Sequence, residues 1–200
     1  MATIVKNNYQ EKYVKEIVPK MMAEFNFKNP YEVPKIEKVV LNIGIGKIMT
    51  NQKNNPEALR RIEELMFLIS GQKPSVRPAK ESIAGFKVRE GMPVGLKITL
   101  RGKKKDDFIF RFINLVLPRI RDFWGIPLKN IDEKGVLNYG IREINTFPEI
   151  SKEQLPYNIG VEISFVPSIR KKDVAIRLYQ LMGFPLEKTE KGNSEKSSKK

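Results

Sequence analysis

The residue types best suited to chemistry in this chain are concentrated between Ser70 and Gly102. This segment reads SGQKPSVRPAKESIAGFKVREGMPVGLKITLRG and holds seven Lys or Arg against two Glu. Ammonium and guanidinium groups neutralise phosphates, glycines let a main chain approach a partner closely, and prolines stiffen an extended segment. The pattern therefore favours contact with an RNA backbone. The alternative is a flexible, solvated loop whose charges only keep the protein soluble.

Three neutral polar residues, Asn42, Gln72 and Thr99, accompany this charge. Strand periodicity places Asn42 and Thr99 on polar faces, and Gln72 follows a helix end. Their amide and hydroxyl groups can bond phosphates, riboses or base edges, which makes them candidate RNA contacts. Taken singly, each could also be an ordinary surface residue.

The overall charge supports a polyanionic partner. The 200 residues carry 37 Lys and Arg against 23 Asp and Glu, a formal net charge of +14. This charge attracts nucleic acid, although it does not by itself distinguish RNA from DNA or from an anionic membrane. No apolar run approaches the roughly 18 to 20 residues of a membrane span, and the first part of the chain lacks an apolar signal core. We therefore expect no membrane association and a location in the cytoplasm or an organelle.

Composition excludes most catalytic chemistry. The chain has neither cysteine nor histidine, which removes disulfides, thiol nucleophiles, the usual zinc ligands and imidazole acid-base catalysis. The paired acids Glu63-Glu64 and Asp106-Asp107 are interpreted as a solvated helix face and a helix start. We predict no enzyme activity, no metal and no cofactor.

The sequence GIGK at 44–47 raises the question of a nucleotide site. A Walker loop requires Ser or Thr after the lysine, where this chain has Ile48, and the dinucleotide GxGxxG pattern fails because Met49 replaces its third glycine. The glycines instead indicate the end of a strand, at a turn or at a close approach of another backbone. No small-molecule substrate is predicted.

Hydrophobic periodicity divides the chain into helices and strands. Helices are predicted over 9–25 with a kink at Pro19, over 56–69 between Asn55 and an end at Ser70-Gly71, and over 106–117 up to a kink or end at Pro118. Helical spacing returns briefly over 120–124, and a last helix is predicted from its cap Asp173 to Gly183. Strands are predicted over 36–46, 94–101, 136–147 and 158–166, with an irregular or edge segment at 75–80 and an alternating stretch at 86–89.

Several of these strands have one apolar and one polar face. In 36–46 the apolar residues share one parity and Asn42 lies on the other. An antiparallel sheet with helices packed on one side satisfies this pattern and leaves the other side for a partner. We predict a single α+β domain over 1–186 and a disordered, lysine-rich tail over 187–200, which has no apolar residue to bury.

The aromatic residues give a weaker signal. Phe108, Phe112 and Phe123 recur at helical spacing and are interpreted as core. For Trp124, beside Gly125 at a helix end, a core role and a base-stacking role both stay open.

The basic segment and several long motifs are similar to one known family. Together with LNIGIG, RGKKKDDFIFRFINLVLPRIRDFWGI, YGIREINTFPEI and MGFP, it resembles the bacterial-type large-subunit ribosomal protein family L-five, which binds 5S rRNA. The likeness covers about residues 8–186. It implies one α+β domain whose antiparallel sheet has helices on one face, together with a long basic arm.

The resemblance also implies partners and site residues. The family sits in the central protuberance of the large subunit, joins 5S rRNA to the large rRNA, and contacts a small-subunit head protein across an intersubunit bridge, while its arm reaches P-site tRNA. Matching the motifs assigns 5S rRNA contacts to Asn42, Gln72 and Thr99. The arm corresponds to about 73–91, with tRNA contacts implied for Lys73, Arg77, Lys80, Lys87 and Arg89.

The leading hypothesis is therefore a ribosomal RNA-binding protein without catalytic chemistry, in the cytoplasm of a bacterium or in an organelle. A free RNA chaperone or translational regulator with the same fold is the alternative, and sedimentation with salt-washed large subunits distinguishes the two. A carboxylate-dependent nuclease would instead show metal-stimulated RNA cleavage that is lost on changing Glu63 or Asp107.

Overall fold

The fold is built around a five-stranded antiparallel sheet. The computed structural model describes residues 9–51, 55–121, 123–151 and 159–187. The strands are β1 (Ile36–Gly44), β2 (Ser75–Pro78), β3 (Pro93–Leu100), β4 (Leu137–Ile141) and β5 (Val161–Pro167). They lie in the order β2-β3-β1-β5-β4, and every neighbouring pair is antiparallel. This confirms the predicted α+β class and the edge position of the segment at 75–78. Of the predicted tail, 188–200 lies outside the described residues.

Helices precede, separate and follow the strands. None of those in the described ranges is long and apolar enough to cross a membrane. The main helical segments are α1 (Tyr9–Lys12), a π-helical turn (Tyr13–Ile17), α2 (Val18–Phe25), α3 (Gly46–Asn51), α4 (Pro56–Ser70), α5 (Gly102–Arg111), a second π-helical turn (Phe112–Val116) with a 3-10 turn (Leu117–Arg119), and α6 (Lys172–Met182).

The two helical segments that contain a proline change their winding just before it. The turn Tyr13–Ile17 precedes Pro19, and the turn Phe112–Val116 precedes Pro118. In both, the residue directly before the proline donates its N–H to the carbonyl five residues back. Proline has no N–H to continue the normal helical ladder, so the wider turn lies where the sequence predicts a kink.

Helix α4 begins and ends where its capping residues predict. The side-chain oxygen of Asn55 accepts a hydrogen bond from the Glu57 N–H at 2.9 Å, and Pro56 occupies the first helical position. At the other end Gly71 adopts φ +64° and donates its N–H to the Phe67 carbonyl at 2.7 Å. The cap fixes the direction in which the chain leaves the helix towards β2.

Three stretches depart from their predicted structure. The helix α3 was not predicted, because its residues follow a strand pattern and two glycines. The stretch 86–89 is not a strand, since Lys87 has φ +52° and closes a 3-10 turn, Ala84–Phe86. The stretch 120–124 is not helical in its described residues, because Ile120 is extended after the 3-10 turn that contains Pro118.

The ends of two further elements are also corrected. Strand β4 is shorter than 136–147 because Ile144 leaves the strand and donates its N–H to the Ile159 carbonyl at 2.9 Å, after which the chain turns. Asp173 does not cap α6. The cap position is Lys171, and Asp173 lies in the first turn, where its charge complements the helix dipole.

The acidic pair Asp106-Asp107 does not start a helix. Helix α5 already begins at Gly102, so both acids lie beyond its first turn, and the lysines that occupy that turn gave no start signal. Asp106 is buried rather than solvated, and its Oδ1 lies 3.1 Å from the Lys105 ammonium. The same ammonium donates to the Ile36 carbonyl at 2.7 Å, which ties α5 to the start of β1.

The core lies on one face of the sheet, as the strand parities predict. An aromatic cluster closes it, with ring centroids 5.2 Å apart for Phe112 and Phe165 and 5.0 Å apart for Phe165 and Phe184. Phe108 and Phe112 are fully buried, which confirms their core assignment, and Phe123 is half-buried. The buried hydrophobic residues of the strands are Ile36, Val39, Leu41, Ile43, Leu96, Ile98, Leu100, Leu137, Ile141, Val161, Ile163 and Phe165.

Candidate nucleic-acid interface

The opposite face of the sheet is open and polar, and we call it the open face. Strand β1 lies at its centre, where Asn42 is opposite Lys97 of β3 and Glu162 of β5. Two residues earlier in β1, on the same face, Val40 is opposite Thr99 and Ser164. Cross-strand partners point to the same side of a sheet, so these six residues share one surface. Asn42 and Glu162 are exposed, and the other four are half-buried.

The three residues assigned to 5S rRNA lie close together, with Asn42 and Thr99 on this surface and Gln72 beside β3. Thr99 lies diagonally across from Asn42, since its partner on β1 is Val40. Gln72 precedes β2, and its Nε2 donates to the Thr99 main-chain oxygen at 3.5 Å. These residues are far apart in the sequence, and the antiparallel pairing of β1 with β3 brings them together.

A tight turn holds Gln72 in place. The hydroxyl of Ser70 is buried, donates to the Met66 carbonyl at 2.7 Å and accepts a hydrogen bond from the Gln72 N–H at 3.1 Å. A side chain that bonds its neighbouring backbone in this way stabilises a turn. The Gln72 backbone is therefore fixed at a helix end and does not belong to a free loop.

Asn42 has its own fixed partner. Its Nδ2 donates to Glu162 Oε2 at 3.5 Å, across the strand pair β1-β5. Sequence reasoning placed Lys97 on the outward face of its strand with Thr99 but missed Glu162 and Ser164 as members of this surface. Their alternation with buried residues is visible in the sequence, but the order of the strands, which makes them neighbours of Asn42, is not.

The segment 79–92 joins β2 to β3 as a hairpin. Its base is closed by the Ala79 N–H, which donates to the Met92 carbonyl at 2.8 Å. Further out, Ile83 and Val88 exchange both main-chain hydrogen bonds, at 2.9 and 3.2 Å, and the turn Ala84–Phe86 lies between them. Every residue from 80 to 87 is exposed, and Phe86 at the turn is 73% exposed.

The five cations assigned to tRNA are all exposed but are not gathered at one point. Lys73 and Arg77 lie at the sheet, with Arg77 opposite Gly95 on the open face, whereas Lys80, Lys87 and Arg89 follow the hairpin. No hydrogen bond or ion pair within the described residues involves any of the five side chains. Their charges are therefore available to an external anion.

No catalytic or metal-binding arrangement is found in the described parts of the chain. Glu64 pairs with Arg60 at 3.2 Å on the solvated side of α4, as the sequence indicates, and Asp106 is buried beside Lys105. The four described ranges contain no group of three or more acids placed to hold a metal ion. Trp124 is 90% exposed, so of its two open alternatives the core role is ruled out.

Comparisons with known proteins find one ribosomal family over most of the chain. A family model described as Ribosomal protein L5 matches residues 29–89, and a second model, for the C-terminus of the same ribosomal family, matches 93–186. The large ribosomal subunit protein uL5 of Dictyoglomus turgidum is 43% identical over 179 residues, 90% of this chain and 98% of the relative. The uL5 proteins of Latilactobacillus sakei and Halothermothrix orenii are also 43% identical, over 91% and 88% of this chain and 99% and 96% of their own lengths.

Proposed function

The chain belongs to the uL5 family of large-ribosomal-subunit proteins, and we propose that within the subunit its open face binds 5S rRNA. Family membership makes the chain a structural, rRNA-binding constituent of the large subunit and not an enzyme. It also favours the ribosomal role over that of a free chaperone or regulator.

One observation carries the proposal. Asn42 and Thr99, which are distant in sequence, share the polar face of a sheet whose other face is buried, and the Gln72 amide lies 3.5 Å from the Thr99 main-chain oxygen. RNA is recognised through exposed bases, riboses and shape, which neutral donors and acceptors at fixed positions can contact. Lys97 and Arg77 flank this surface and can contact phosphates.

The hairpin 79–92 serves as the arm that meets P-site tRNA. Its cations are exposed, and the hairpin extends from the β2-β3 edge of the sheet. Contacts with tRNA phosphates through Lys80, Lys87 and Arg89, and through Lys73 and Arg77 nearer the sheet, are part of the same proposal. The proposal also includes a contact with a small-subunit head protein, a place in the central protuberance and a location in the cytoplasmic ribosome.

The 5S contact is tested by neutral substitutions on the open face. Asn42→Ala and Thr99→Val each remove hydrogen-bonding groups, so each should weaken 5S rRNA binding about tenfold without changing its dependence on salt. Filter binding at several salt concentrations measures both quantities. Asn114→Ala is the matched control, because this exposed asparagine lies on the helical side, bonded to the Phe110 carbonyl. Wild-type affinity in both open-face variants would refute the proposed surface.

The tRNA contact is tested on assembled ribosomes. Lys80→Ala and Lys87→Ala should each weaken P-site tRNA binding, and each lost phosphate contact should lower the salt slope by about 0.7 to 0.9. The same variants should bind 5S rRNA with wild-type affinity as free proteins. If tRNA binding keeps the wild-type salt slope in the double variant, the hairpin does not contact tRNA phosphates.

A further inference from the structure

Glu162 is an unexpected residue on a surface proposed to bind RNA. It is exposed, and it lies directly across the strand pair from Asn42. Among the paired residues of the described strands, it is the only acid on the open face. A carboxylate repels phosphate, so its position disfavours contact with the RNA backbone at this point.

Hydrogen bonds orient the Asn42 amide on the open face and the Gln72 amide beside β3. Asn42 Nδ2 donates to the Glu162 carboxylate, and Gln72 Nε2 donates to the Thr99 main-chain oxygen, both at 3.5 Å. In each amide one N–H is directed to a protein partner, which leaves the oxygen to accept and one N–H to donate to an external group. The Glu162 carboxylate adds two acceptor oxygens and a negative charge beside Asn42.

Phosphate oxygens only accept hydrogen bonds and carry negative charge, so they cannot pair with the Glu162 carboxylate and are repelled by it. The groups of RNA that can are those that donate, namely ribose 2′-hydroxyls and the N–H groups of bases. We propose that Glu162 makes the Asn42 position select a hydrogen-bond donor of RNA and reject phosphate. This inference rests on the proposed binding of 5S rRNA to the open face.

The distribution of cations agrees with this division of roles. Lys97 lies on the other side of Asn42 from Glu162, and Arg77 lies at the outer strand. Lys97, Asn42 and Glu162 therefore form a row across three strands, from cation through amide to carboxylate. A phosphate can contact the cation at one end of this row and is repelled by the carboxylate at the other. Glu162 is a positioning residue, because it acts through the orientation of Asn42 as well as through its own charge.

The role of Glu162 is tested by the ratio of affinities for 5S rRNA and for an unrelated structured RNA of equal length. Glu162→Gln should lower this ratio about tenfold, and it should steepen the salt dependence for the unrelated RNA by up to about 0.9, because one more phosphate can approach. Glu162→Asp should keep the wild-type ratio. Glu133→Gln, an equal change of charge in the exposed turn that packs against α6, should also keep it. A wild-type ratio in Glu162→Gln overturns the proposal.

Modified 5S transcripts distinguish the two sources of a donor. A 2′-deoxy substitution removes a ribose donor, and a base analogue without its exocyclic amino group removes a base donor. The substitution at the selected nucleotide should weaken wild-type binding about tenfold and leave Glu162→Gln binding almost unchanged. If no substitution among the 5S nucleotides that contact the protein weakens wild-type binding more than it weakens binding of Glu162→Gln, there is no selected donor and the proposal fails.

The outcomes separate this inference from the function on which it rests. A wild-type protein that binds 5S rRNA no better than unrelated RNA refutes the proposed function. A wild-type preference that Glu162→Gln retains refutes only the role of Glu162. Glu162→Asp keeps the test valid if the glutamine variant unfolds, because loss of the preference in a folded aspartate variant also contradicts the proposal.

Discussion

The open face and the hairpin 79–92 carry candidate RNA contacts of different kinds, and the fold holds them differently. On the open face, Asn42 belongs to the central strand and has paired strands on both sides. The hairpin has main-chain bonds at its base and between Ile83 and Val88, and its residues 80–87 are exposed. The neutral groups of Asn42 and Thr99, which must meet RNA at defined distances, lie on paired strands. Three of the five assigned cations, whose charges act over a longer range, lie on the hairpin instead.

The largest effect is expected from a substitution that disturbs the packing of α6 against the turn before β4. A Cβ on Gly135 would lie 2.6 Å from the Cβ of Ala175 in α6, and Gly135 has φ +77°. Gly135→Ala should therefore lower the free energy of unfolding by about 2 to 4 kcal/mol through overpacking and backbone strain. Chemical denaturation monitored by circular dichroism measures this loss.

The hairpin provides the matched control. A Cβ on Gly85 would meet no atom within 4 Å, and its φ is not positive. Gly85→Ala should change the free energy of unfolding by less than about 0.5 kcal/mol, the usual range for exposed sites. Equal destabilisation by the two substitutions would mean that the hairpin is as tightly constrained as the sheet, contrary to the comparison.

A replacement of the hairpin separates the two surfaces. Joining Ala79 to Met92 through Asn-Gly keeps the strand pair β2-β3 and removes three of the five assigned cations, Lys80, Lys87 and Arg89. The shortened protein should keep wild-type affinity for 5S rRNA, since the open face is intact. Ribosomes that contain it should show a salt slope for P-site tRNA lower by about 2, for three lost phosphate contacts. Loss of 5S binding would show that the hairpin belongs to the 5S surface.

The smallest effect tests the helical layer with pH. Arg177 of α6 donates two hydrogen bonds to Glu24 of α2, at 2.6 and 2.5 Å. Hydrogen bonding to Arg177, followed by its charge and that of Lys20, holds the pKa of Glu24 below its ordinary value of 4.5 despite some opposing desolvation. A lowered pKa contributes stability above the unfolded-state value, and that contribution is lost as pH falls through the folded-state value.

The melting temperature of wild type should therefore exceed that of Glu24→Gln slightly at neutral pH, and the difference should vanish in acid. Thermal unfolding at a series of pH values measures it. Because the pair lies on the helical side, 5S binding at neutral pH should be the same in both proteins. A difference that grows as pH falls would contradict the assigned sign.

Periodicity predicts most of the fold because each strand has one buried face. The parity of β1 correctly separates Val39 and Leu41 from Asn42, and Asn55 and Gly71 correctly bound α4. Periodicity predicts the wrong structure where the chain reverses direction and no typical turn sequence marks the reversal. The stretch 86–89 alternates like a strand, yet Lys87 adopts a positive φ that residue type alone does not reveal.

The candidate site is only partly predictable for a different reason. Parity places Asn42 and Thr99 on polar faces, but it does not say which strands are neighbours. Glu162 lies 120 residues from Asn42 and meets it only because β5 pairs with β1. The acid beside the amide, and the orientation that it gives the amide, follow from tertiary structure alone.

The position of β1 at the centre of the sheet sets the order in which this protein can mature during its synthesis. One neighbour of β1, strand β3, ends at Leu100, but the other, β5, ends at Pro167. While the chain is being made, β1 keeps one edge unpaired over more than half the length of the chain, exposed to wrong pairing with other strands. The Asn42-Glu162 contact therefore cannot form until β5 has been synthesised, and a nascent chain cut short before Val161 would lack it.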